Sequence, residues 1–127
     1  MSMTYWIKIK DNAIEKTIEH DLSAICRNSD KLNDLLKSKD ILELSEFVDT
    51  TELALEFAPD GIDEEEYIQS NSKWHQWSYA KNYFQIIKDI TIASTLNEKN
   101  EILGELDFII KILEEDEKDL FQLILLN

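Results

Sequence analysis

At about 100° per residue, residues 73–96 place Trp77, Ala80, Tyr83, Phe84, Ile87, Ile90 and Thr91 on one broad face. Ser78, Lys81, Asn82, Gln85, Lys88 and Asp89 fall on the other. The pattern predicts an amphipathic helix of roughly six turns, aromatic enough to form the centre of the core. Residues 101–115 predict a second helix, with Ile102, Leu103, Leu106, Ile109, Ile110 and Leu113 inward. Phe108 and Ile112 add apolar surface on another side, so this helix is expected to be covered from more than one direction. Gly104 inside it costs about 1 kcal/mol relative to alanine, and close approach of a neighbouring helix is the expected compensation.

Other periods appear elsewhere. Residues 4–10 alternate Tyr5, Ile7 and Ile9 with Trp6 and Lys8, which predicts a short strand. From Asp11 or Asn12, a possible N-cap, Ile14, Ile18, Leu22 and Ile25 recur at helical intervals, and a helix is expected over residues 12–27. Cys26 beside that stripe reads as a small buried hydrophobe. Short helices follow around Leu32, Leu35 and Leu36, and around Ile41, Leu44, Phe47 and Val48. Residues 51–58 fit a helix or a strand, and helix is preferred. Pro59, Asp60 and Gly61 make a turn. After it, Asp63, Glu64, Glu65 and Glu66 sit where the positive end of a helix favours acids. The tail LFQLILLN is either a last helix or the strand partner of residues 4–10, and its leucine content favours helix. The expected architecture is a mainly α, compact helical bundle with a short N-terminal strand, one domain over residues 1–127. The alternative is an α+β fold whose small sheet joins that strand to a distant segment.

Composition supports the helical preference, since two glycines and one proline in 127 residues leave little material for the tight turns of a sandwich or barrel. A hydrophobic content of 43% excludes a disordered acidic tail. The net charge of −14 changes the picture most. It opposes binding to nucleic acid through phosphates and to anionic membrane surfaces, and it suits a basic protein partner. A single cysteine, Cys26, allows neither an internal disulfide nor a multi-cysteine zinc site. The first residues lack the charged-then-apolar pattern of a signal peptide, and no apolar run reaches a membrane span. A cytoplasmic protein is expected. The abundance of Ile, Lys, Asn, Asp and Glu matches an AT-rich coding sequence and suggests a bacterial source.

Candidate chemistry is sparse. Trp74 and His75 lie off the apolar face of the first helix, where they are either packed under the preceding loop or exposed as contact residues. His75 has no acid and nucleophile at catalytic spacing along the helix. His20 between Glu19 and Asp21 reads as a surface histidine. Two acidic runs, Asp60, Asp63, Glu64, Glu65, Glu66 and Glu114, Glu115, Asp116, Glu117, lack the register of a calcium loop. Consecutive acids on a helix make a field more readily than a cage. No phosphate loop, nucleophile elbow or paired Glu-x-x-His motif occurs.

No catalytic residue, cofactor or metal is therefore expected. The expected function is that of an acidic protein-binding inhibitor, a bacterial immunity protein or antitoxin occluding the basic cleft of a toxin such as a nuclease. The two acidic runs would meet that partner together with Tyr67, Trp74 and His75. The alternative is an adaptor or regulatory module that joins a partner through its edge strand.

Overall fold

The computed structural model describes residues 3–127. Its organising element is a four-stranded antiparallel sheet of strands β1 (Thr4–Asp11), β2 (Ile14–Ile18), β3 (His75–Gln76) and β4 (Leu120–Leu126), in the order β2-β1-β4-β3. β1 and β2 form a hairpin closed by Asn12 and Ala13, both at positive φ, 52° and 64°. That pair of left-handed residues is the signature of a two-residue hairpin turn whose twist matches its strands. β4 pairs along its length with β1, from Thr4 opposite Leu126 to Lys10 opposite Leu120. Its other edge is taken by β3 and by Asp49, whose N–H donates to the Leu123 carbonyl at 2.8 Å and whose carbonyl accepts from the Leu125 N–H at 3.0 Å. Phe121, Gln122, Leu123 and Ile124 are all buried, so both faces of β4 are covered.

Among the described residues, seven helices accompany the sheet: α1 (Ser23–Arg27), α2 (Ser29–Ser38), α3 (Leu44–Phe47), α4 (Thr51–Leu55), α5 (Glu64–Asn71), α6 (Trp77–Ile92) and α7 (Lys99–Glu115). One sheet face, carrying Tyr5, Ile7, Phe121 and Leu123, joins the buried faces of α6 and α7 in a single core. Phe47, Tyr83, Phe84 and Phe121 interlock there with ring centroids 4.5–6.3 Å apart. The Trp77 indole N–H donates to the Leu113 carbonyl at 2.9 Å, fixing the start of α6 to the end of α7. The short helix α1 has no side-chain cap of its own. Glu105 reaches across from α7 instead and accepts from the N–H groups of Ala24 and Ile25 at 3.0 and 2.8 Å, satisfying donors that a helix start leaves open. The opposite sheet face meets α4, where Lys8 and Glu52 pair at 2.7 Å.

A mainly α bundle is therefore not what the sequence forms. Helices hold 52% of the structure and strands 18%, in an α+β arrangement whose sheet extends well beyond one N-terminal strand. Residues 12–27 divide between the hairpin strand β2 and the five-residue α1 rather than forming one helix. The tail is strand, not helix. The predicted helix over residues 73–96 begins only at Trp77, because His75 and Gln76 pair with Phe121 and Leu120. Its predicted inward residues are all buried. Thr51–Leu55 is helical, as preferred from sequence. Phe108 and Ile112 are half-buried against the core cluster. No neighbour approaches Gly104 within 4 Å of where a Cβ would stand, so its cost has no compensation in close packing.

Candidate protein-docking surface

The first acidic run lies at the start of α5. Asp63 caps that helix, its carboxylate accepting from the Glu66 N–H at 3.2 Å. Glu64, Glu65 and Glu66 fill the first turn, where the positive end of the helix macrodipole stabilises them. Asp60 and these four acids are exposed, and Tyr67 is half-buried. α5 packs against α4 but buries no side chain completely. Ile62, Asp63, Glu66 and Tyr67 line one shallow hollow. Nearby in the chain, between Glu56 and Asp60, Phe57 is 80% exposed and Ile62 is 39% exposed.

These residues belong to a larger feature that periodicity did not bring out. Residues 40–72 contain eleven acids and no Lys, Arg or His, so this stretch alone carries −11 of the net −14. Of the eleven, Glu52 pairs with Lys8, and among the described residues the other ten have no cation within ion-pair distance. Asp49 is the buried member, held by the Thr51 N–H at 2.9 Å, the Thr51 hydroxyl and the Gln122 amide at 2.6 Å. A count of bases along the chain would have found this segregation. The exposure of Phe57 would not have been found, because the same residue fits the inward face of a short strand or helix equally well.

The second acidic run occupies the opposite kind of helix end. Glu114 and Glu115 form the last turn of α7 and Asp116 caps it, all exposed, at the negative end of a 17-residue helix whose last turn has no base. Glu117 follows, also exposed. The run abuts the β1–β2 turn, where Asp119 accepts from the Asn12 N–H at 2.9 Å and Lys118 lies 3.9 Å from Asp11. Among the described residues, no hydrogen bond or ion pair joins this run to the first.

Trp74 and His75 serve the scaffold. Lys10 lies 4.4 Å above the Trp74 ring, a cation–π contact on a half-buried indole. The His75 ring stacks on Phe47 at 3.8 Å, and its Nε2–H donates to the Phe47 carbonyl at 2.8 Å, a tautomer assigned from that bond. The pair ties α3 to β3. His20 stacks on Phe108 at 3.9 Å. Burial, then the nearby Glu105 charge, pushes the Cys26 thiol above its ordinary range, which disfavours the reactive thiolate. Burial likewise pushes the Tyr5 hydroxyl up to about 12 and the Tyr83 hydroxyl higher still. Tyr83 donates to the Leu42 carbonyl at 2.8 Å and so acts as a strut under the acidic stretch. Among the described residues, no three His, Cys, Asp or Glu side chains gather as a metal site would require. No described helix is long and apolar enough to cross a membrane.

Comparison with protein families, curated proteins and solved structures finds no match.

Proposed function

We propose that this chain is an acidic protein-binding inhibitor, an immunity protein or antitoxin that neutralises a basic toxin in the bacterial cytoplasm by covering its substrate cleft. A nuclease is the toxin class the charge favours, because a cleft shaped for a polyanion is itself positive. The observation that carries this reading is the acidic arm of residues 40–72, with its unpaired carboxylates and the 80% exposed Phe57. Charges of one sign speed encounter and set orientation, whereas a desolvated aromatic supplies contact energy. Phe57, Ile62 and Tyr67 are the contact residues in this reading, ringed by Glu56, Asp60, Asp63, Glu64, Glu65 and Glu66.

The adaptor alternative also has one observation in its favour. β1 is paired on both sides and offers no edge, but among the described residues β2 ends the sheet and has no strand on its outer side.

The test is capture of proteins from the source organism on the immobilised chain, at low and at high salt, followed by assay of what is retained. One basic protein should be held at low salt and released as salt screens the contact. Phe57→Ala, or Glu64→Lys with Glu65→Lys and Glu66→Lys, should lose it. Its nuclease activity should fall when the chain is added. Retention indifferent to salt, or a partner whose activity the chain leaves unchanged, contradicts the reading.

A further inference from the structure

The hairpin register places Ile14, Lys16 and Ile18 on the same sheet face as Ile7 and Ile9, the face that α6 and α7 cover. Ile7 is 1% exposed, yet Ile14 is 72% exposed. The helix layer covers β1 and stops short of β2. What remains is a groove of about 440 Å³ between β2 and the end of α7, with Ile14, Ile18 and Ile112 along it, Lys16 and the Lys118–Asp11 pair at its rim, and Glu115 and Asp116, which have no cation partner among the described residues, on its wall.

Two properties of the groove choose its occupant. The first is the unpaired edge. In a two-residue hairpin the closing pair, here Asp11 and Ile14, exchanges hydrogen bonds. By alternation, the N–H and C=O groups of Glu15 and Thr17 then point away from β1 to the open side. The second is charge. Glu114, Glu115 and Asp116 repel the negative end of α7, and its last turn holds no base to offset them. A cation brought beside them would relieve that repulsion.

We propose that the open edge of β2 and the groove beside it accept an extended, basic segment of a partner protein as a fifth strand. Backbone groups of the segment pair with Glu15 and Thr17, its apolar side chains cover Ile14 and Ile18, and a Lys or Arg on that same face meets the end of α7. A second copy of this chain does not fit. The antiparallel register that sets Ile14 against Ile18 of another copy sets Lys16 against Lys16, and each copy carries −14. Lys16, an inward-facing charge on an edge strand, is a recognised guard against such self-pairing. This surface is separate from the acidic arm, so the proposal stands whether or not the toxin reading holds.

The probe is a short blocked peptide whose alternate positions are Val, Val and Lys with Thr between them, so that Val and Lys share one face, and the control has Glu in place of the Lys. Residue-resolved amide hydrogen exchange should show the Lys peptide slowing Glu15 and Thr17 while β4 amides are unchanged. The control peptide should show no such slowing. Thr17→Pro removes an outward N–H, a change that edge strands tolerate, and should abolish the slowing at Glu15. Glu115→Lys with Asp116→Lys, two exposed positions, should weaken the Lys peptide while leaving the circular dichroism of the fold intact. Phe57→Ala should have no effect on it. Equal slowing by both peptides, unchanged slowing in both variants, protection confined to α5, or concentration-dependent dimerisation through β2 without peptide would overturn the proposal.

Discussion

Ala13 holds a left-handed backbone at φ 64° where hairpin turns of this kind favour glycine. An L-residue there costs about 1–2 kcal/mol. Ala13→Gly should therefore raise stability by about 1 kcal/mol, after the greater chain entropy of glycine is subtracted, as a higher urea midpoint at unchanged slope. A lower midpoint would show that the turn is not left-handed. Glu98 is a second residue with a defined signature. Hydrogen bonds from Arg27 and Asn28 hold its carboxyl below the ordinary range. Its folded value lies below its unfolded one, so the contribution is present above the unfolded value and disappears as pH falls through the folded one. Glu98→Gln should lower the melting temperature at neutral pH, and the difference should vanish at strongly acidic pH. A constant difference across pH would assign the effect to packing. At this scale much was legible: the inward residues of α6 were read correctly from their period, and Asp63 and the acids after it stand at a helix start. The roles of Trp74 and His75 were not legible, because Lys10 and Phe47, which engage them, lie 64 and 28 residues away in the chain.

Elements were harder to read than residues, for a geometric reason. Ile14 and Ile18 are four apart, an interval that keeps two side chains on one face of a helix and on one face of a strand alike. The two turn residues between Asp11 and Ile14 decide for strand, and Asn-Ala is a weaker turn signal than Asn-Gly. The tail failed differently. LFQLILL is covered on both faces, so its apolar run shows no alternation, and periodicity cannot separate such a strand from a buried helix. Leucine content then pointed the wrong way, since sheet pairing with β1 overrides a modest helix propensity. α1 shows the same dependence on context, being five residues held by Glu105 of α7. Glu105→Ala should destabilise the protein by about 0.5–2 kcal/mol, the usual range for a lost N-cap, and speed hydrogen exchange at Ala24 and Ile25 first. An unchanged exchange rate at those two amides would contradict the capping role.

Across the whole molecule, charge is segregated rather than spread. The rest of the chain carries every Lys and Arg together with sixteen acids, close to balance, whereas residues 40–72 carry acids alone. Self-repulsion along that arm lowers stability, and a scaffold ties it down through Asp49 on β4, Glu52 on Lys8 and the Phe47 carbonyl on His75. An arm held in place this way, with Phe57 in water, has the form of a presenting surface for a basic protein. The most direct measurement is the affinity of the captured partner for the chain as a function of salt, for the wild type and for the triple reversal of Glu64, Glu65 and Glu66 to Lys. The account predicts tight binding that weakens steeply with salt in the wild type, and weak binding with little salt dependence in the reversal. Equal affinity of the two proteins at every salt concentration would contradict it.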